Sequence, residues 1–206
     1  MAFDKNAVVV DAQRKSVLLM VVDISRSDGS RYAPEPIAVR FEKKGAQSKE
    51  ERQNFRLEKE DAVTEDGRTV YLARMALEPG DYRLGDIAGM AKAFPFVGIF
   101  AVPLLMDFKV EPNSITYVGR VSAVLRPKQD GEFRAGPLLP LIDQGVTGMS
   151  GNTWDIRVED RAEKDVVLFK ENYRALSATA IQKTLLPPFD RLAVQRWWDG
   201  QEEAKE

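Results

Sequence analysis

Two stretches, LEPGDYRL at 77–84 and FKVEPNSITYVGRV at 108–121, decide how this chain is read. Each joins a half-apolar run to a tight turn, Pro79-Gly80 in the first and Pro112-Asn113 in the second, with Tyr82 and Tyr117 on the run that follows. Proline presets φ for a turn, and glycine or asparagine tolerates the positive φ that follows it. In the second stretch Phe108, Val110, Ile115, Tyr117 and Gly119 take alternate positions, while Thr116, Val118 and Arg120 face the other way. That period of two belongs to a sheet, and the two stretches read as neighbouring strands of an antiparallel one.

Working outward, strands recur every dozen residues or so with turn chemistry between them. Residues 7–10 (AVVV) and 16–24 (SVLLMVVDI) read as two strands, the second apolar on both faces and therefore central. Ile37, Val39 and Phe41 alternate with charged neighbours over 36–43, Phe55 and Leu57 do so further on, and Asp66-Gly67 turns the chain into TVYLARMAL. Residues 43–52 read as a solvated connector, 136–152 as an irregular glycine-rich loop, and TWDIRV at 153–158 as the last strand. The fold class expected is mainly β, an antiparallel β-sandwich, over residues 1–159.

From Asp160 the period changes to that of a helix. Asp160 with Glu163 is a capping-box pattern, and Ala162, Val166, Phe169, Tyr173 and Leu176 make one face of a helix over about 161–174. A second helix is predicted from Ser177 to Leu185, stopped by Pro187-Pro188, and a third over 189–198. Residues 160–198 thus form a C-terminal helical appendage packed on the sandwich, with Trp197 and Trp198 clamping it or anchoring a partner. Residues 199–206 are expected to be a disordered charged tail.

Composition narrows the chemistry. The 206 residues are 44% apolar and 30% charged with a net charge of -2, so no strong field favours nucleic acid. There is neither cysteine nor histidine, which removes disulfides, thiolate and imidazole metal sites, cysteine nucleophiles and imidazole bases. Phosphate-loop and dinucleotide fingerprints are absent. A calcium loop starting at Asp23 fails, because Gly29 falls one place late and Pro34 takes the twelfth position. No cofactor is expected. Catalytic carboxylate pairs, as in a hydrolase, remain a route to an enzyme with no local frame to mark them, and serine or threonine nucleophiles with a lysine or carboxylate base likewise have no local signature.

The strongest functional signal is the apolar run 89–106, GMAKAFPFVGIFAVPLLM. Lys92 and its prolines and glycines make it too short to cross a bilayer as a helix. One reading buries it between strands as core. The other makes Phe94, Phe96, Ile99, Phe100, Leu104 and Leu105 a pocket or patch for an apolar small molecule, a partner protein or a membrane surface. Leu138, Leu139, Leu141 and Ile142 invite the same pair of readings.

With its LxPGxYxL and FxVxPxxxxYxGxV patterns and VEDRAEKDVVLFKENY at 158–173, the chain resembles a group of bacterial predicted envelope lipoproteins. The similarity covers roughly residues 70–175. It implies a transthyretin-like or carboxypeptidase-regulatory-like (Ig-like) β-sandwich with a C-terminal helix, and no catalytic residues to carry over. It also implies a periplasmic or outer-membrane-tethered location, with an envelope protein or an apolar ligand as partner. The sequence shows no export signal and no lipid-attachment cysteine, so any lipid anchor is expected upstream of the first residue. The function expected is a non-enzymatic binding or assembly module of the cell envelope, the alternative being a carrier of an apolar small molecule.

Overall fold

The computed structural model describes residues 2–13, 15–27, 30–45, 52–137 and 147–203. Among these residues ten strands and two α-helices follow in order: β1 (Ser16–Arg26), β2 (Pro34–Lys43), β3 (Arg52–Arg56), β4 (Ala62–Glu65), β5 (Arg68–Leu77), β6 (Gly80–Ala93), β7 (Phe96–Val110), β8 (Ile115–Pro127), β9 (Asn152–Glu159), α1 (Ala162–Asn172), β10 (Gln182–Lys183) and α2 (Arg191–Glu203).

The strands form two sheets. The larger runs β10-β8-β1-β5-β4, with β9 also on β8; the smaller runs β3-β2-β6-β7. β1 lies at the centre of the larger sheet and is buried from Ser16 to Ile24, as its two apolar faces predict. Both sheets feed one core: Leu18, Met20, Met75, Val121 and Trp154 from the larger meet Val39, Phe41, Tyr82, Leu84, Phe100, Val102 and Leu104 from the smaller. The opposite face of the larger sheet carries a second cluster, in which Val17, Leu19, Val21, Leu72 and Tyr117 pack with Phe169, Tyr173 and Leu176. Alpha-helix α1 therefore buries its predicted face, and the order of layers is helix, large sheet, small sheet.

Turn chemistry marked the reversals correctly and misassigned what they join. Pro79-Gly80 carries the chain from β5 in the larger sheet to β6 in the smaller, and Pro112-Asn113 carries it back from β7 to β8. β6 and β8 are not neighbours. The smaller sheet is antiparallel throughout, but β8 lies parallel to β1, and β10 parallel to β8, so the larger sheet is mixed. Asp66 and Gly67, at φ 48° and 75°, do close a two-residue hairpin between β4 and β5.

Other corrections are local. Residues 7–10 form no strand; Val8 and Val9 stand in solvent. Gly119, at φ +116°, sits in a bulge of β8 that shifts its register against β1. The bulge turns Arg120 onto the same face as Tyr117, against the simple alternation. Arg161 takes the N-cap position of α1 without a side-chain cap, and Asp160 instead accepts a bond from the Ala162 N–H at 3.2 Å. The helix predicted over 177–185 is absent. Ser177 and Ala178 form a turn instead, and from Gln182 the chain runs along β8, where Thr184 and Leu186 donate backbone bonds to the carbonyls of Tyr117 and Val118, so β10 rather than 153–158 is the last strand. Alpha-helix α2 continues to Glu203, past the boundary expected at 198. Most of the 43–52 connector and the apolar group Leu138–Ile142 lie outside the described residues.

Buried charge fastens α1 to the sheet. Asp165 on α1 accepts from the Tyr117 hydroxyl at 2.7 Å and from the Arg120 guanidinium, which also donates to Glu65 on β4. Arg74 pairs with Asp61 beneath Tyr173, whose ring lies 4.0 Å from the guanidinium carbon. Burial and the Asp165 carboxylate push the Tyr117 hydroxyl above its ordinary range, and burial does the same at Tyr173.

Candidate functional site

The run 89–106 is the tip and outer half of one long hairpin. β6 and β7 pair from Gly80↔Val110 to Ala93↔Phe96, with Phe94 and Pro95 at the turn. Even positions of β7 from Phe100 to Met106 enter the core, while Ala101 and Leu105 between them are half-buried and Pro103, though buried, lines the outer face. The six residues singled out from sequence therefore separate. Phe94 stands 99% exposed at the tip with Phe96 beside it; Phe100 and Leu104 belong to the core; Ile99 and Leu105 face outward. Ile99, Phe100 and Leu105 come together at one cavity, and Phe94, Phe96 and Leu104 do not line it.

That cavity, about 860 Å³, is a trough on the outer face of the smaller sheet. Bulges shape it. At Gly85 β6 slips register against both β2 and β7, so that Leu84 and Ile87 both enter the core while Gly85 and Asp86 both turn outward. β2 slips similarly between Pro36 and Ala38. Opposite Gly85, Leu105 takes φ 51°, a left-handed conformation that costs a non-glycine residue roughly 1–2 kcal/mol. Strand bulges bend a sheet and re-aim side chains, and they recur beside binding sites.

The floor is built of small side chains, Ala38, Ala88 and Ala101 with Gly85, the first two pairing across strands and Ala88 pairing onward with Ala101. Met90 and Ile99 rise at the end nearer the hairpin tip. Trp197 and Trp198 of α2 and residues 134–137 form the side wall. That wall is anchored in the core: Ala135 accepts from the Ala101 N–H and donates to the Asn152 carbonyl, stitching β7 to β9. Gln195 of α2 accepts from the Phe133 N–H at 2.7 Å, and Arg191 bonds the Trp154 carbonyl and Glu132. Arg126 and Arg191 together hold the Glu132 carboxyl down at about 2.

The other end of the trough is charged. Arg40, Arg52, Arg83 and Arg134 line it with Glu42 and Asp86. Arg83 makes a two-pronged bond to Asp107 at 2.7 and 3.2 Å, and Arg52 reaches Glu42 at 3.7 Å. Arg40 serves Asp86 poorly. Its Nη1 lies 3.4 Å from Oδ1 and 3.5 Å from Oδ2, with hydrogen-bond geometry to Oδ2 alone, and Oδ1 is sealed with no partner. Burial raises the Asp86 carboxyl above its ordinary value, and the guanidinium only partly opposes this.

No protein family model matches the chain, and no curated protein and no solved structure matches it. Among the described residues no helix is long and apolar enough to cross a membrane, and no group of three or more acids is placed to hold a metal ion. Sequence reading picked out the β7 wall through its apolar run. It missed the floor, because alanines carry no pattern, and the Asp86 end, where the one signal was Gly85 inside a strand.

Proposed function

We propose that this chain is a binding module of the bacterial cell envelope that takes an elongated apolar ligand into the trough of the smaller sheet. The trough itself carries the reading: about 860 Å³ with an alanine floor, two tryptophans on a wall and charge confined to one end. Pockets of this size, mostly apolar with a few placed polar groups, suit small molecules. From Asp86 to Met90 the floor extends about 13 Å at the rise of a strand. The apolar floor with charge gathered at one end is the arrangement of a site that holds a ligand.

The envelope location, and the transthyretin- or Ig-like type of the two facing sheets, are supported by the motifs at 77–84, 108–121 and 158–173. The parallel pairing of β1 with β8 is the feature that any such type must accommodate. A second reading, docking to an envelope partner or lipid surface, draws on the hairpin tip, where Phe94, Phe96, Val97 and Ile99 are all exposed.

Titration with a neutral naphthylamine dye tests the trough. Saturable binding is expected, with quenching of the Trp197 and Trp198 emission. Ala101→Trp, which fills the floor from an outward position, is expected to abolish it. Binding that survives this substitution places the ligand elsewhere, and no saturable binding refutes the reading.

A further inference from the structure

Asp86 is a largely buried carboxylate at the charged end of the trough, and among the described residues its one partner is distant. Charge-assisted bonds between a guanidinium and a carboxylate ordinarily run at about 2.7–2.9 Å, whereas Arg40 stands 3.4 and 3.5 Å away. Elsewhere in this molecule arginine and carboxylate meet properly: Arg83 reaches Asp107 at 2.7 Å and Arg191 reaches Glu132 at 2.7 Å. Among the described residues Asp86 Oδ1 is the one carboxylate oxygen that is buried without a hydrogen bond. A carboxylate has about four acceptor sites, and here a single long bond occupies one of them. Oδ1 is sealed, so the quarter of the side chain that remains exposed, which lines the cavity, is the part a ligand can reach. Buried polar groups left short of partners call for a water, an ion or a ligand to complete them.

Building on the trough reading, we propose that the ligand is a single-chain amphiphile whose head is a hydrogen-bond donor, an ammonium above all, which meets the Asp86 carboxylate while the chain lies over Ala88, Ala101 and Ile99. The bulge at Gly85 has a role in this, because it turns Asp86 outward where regular alternation would send it into the core. Arg40 opposes the effect of burial on the carboxylate without saturating it. Arg83 is already engaged with Asp107, while Arg52 lies 3.7 Å from Glu42. Arg134 also lines the cavity and is the natural partner of the opposite kind of head, an anionic one, so the two assignments are experimentally distinct.

The experiment compares dodecylamine, dodecanol, dodecyl methyl ether and dodecanoate, each below its micellar concentration, by displacement of the naphthylamine dye from the full chain at neutral pH. A bond to a charged group is worth roughly a tenfold to hundredfold gain. Dodecylamine is therefore expected to bind tightest by at least about tenfold over the ether, with dodecanol between them and dodecanoate weakest. In Asp86→Asn the amine-to-dodecanoate ratio is expected to fall to near one. The ranking in the unaltered protein decides the matter even if that variant does not fold. Equal binding of all four heads, or tightest binding of dodecanoate, overturns the donor-head proposal and leaves the trough reading standing. If the dye binds with no saturation and no dodecyl compound competes, both fall together.

Discussion

Replacing Asp165 by alanine tests whether buried charge fastens α1 to the larger sheet. Asp165 and Arg120 are both 0% exposed, and Asp165 accepts from the Tyr117 hydroxyl as well as from two nitrogens of Arg120. Alanine leaves the guanidinium buried with Glu65 alone, since Asp23 is 3.8 Å off. Breaking a buried pair on one side costs about 3–5 kcal/mol, because the remaining charge is uncompensated. Glu65 is retained, which places this case at the lower end, about 3 kcal/mol. In a chain of this size 1 kcal/mol moves the melting midpoint by roughly 2–4 °C, so a fall of about 6–12 °C is expected. Urea unfolding followed by far-ultraviolet circular dichroism gives the free energy, and hydrogen exchange over 162–172 shows whether α1 loosens first. In an Arg120→Met background the same substitution is expected to cost far less, with a coupling of about 1–3 kcal/mol between the two sites. A loss below about 1 kcal/mol, or strict additivity of the two changes, would refute the idea that this pair holds the helix.

Further outcomes follow from other parts of the molecule. Glu132 is held at about 2 by Arg126, below its ordinary 4.5, so its contribution is fully present above pH 4.5 and is lost as pH falls toward 2. After allowance for its partly solvated setting this amounts to roughly 2 kcal/mol. Glu132→Gln is expected to remove that part of the acid dependence, read from tryptophan emission; an unchanged acid profile would count against it. Gly119→Ala puts a Cβ at φ +116° only 3.3 Å from Val158 Cγ1, a strain of about 1–3 kcal/mol. A lower urea midpoint at unchanged slope is the outcome to look for, and a neutral result means that the bulge relaxes freely. Phe94→Ser removes a side chain that touches almost nothing, so the melting midpoint should hold while retention on lipid vesicles or by an envelope partner drops. A fall in thermal stability would show instead that the tip is structural.

Much of the fold was legible because alternation is a local property. Val39 and Phe41, or Phe100, Val102 and Leu104, declare a buried face through their own spacing, and β1 declares its central place by being apolar on both sides. Which sheet a strand joins is not local. Pro79-Gly80 specifies a reversal, yet nothing in a turn says whether the next strand pairs with the last or crosses to the facing layer. Bulges at Gly85 and Gly119 broke the two-residue count, which is why Arg120 was placed on the wrong face and Asp86 went unnoticed. The segment 177–185 has helical apolar spacing, but β8 offers free backbone carbonyls at Tyr117 and Val118, and pairing with them won. Of the trough, the sequence revealed the large residues of β7 and hid the small ones on which a ligand would lie.

The parallel contact between β1 and β8 sets an order of assembly. β1 has the longest continuously buried run of any strand and is synthesised early, yet its partner beginning at Ile115 comes nearly half a chain later. Contacts of such long sequence separation must close a large loop before they stabilise anything, so folding is slow and the waiting strand is vulnerable to mispairing. A chain truncated before β8 would carry that strand with one bare edge, ready to associate with its copies.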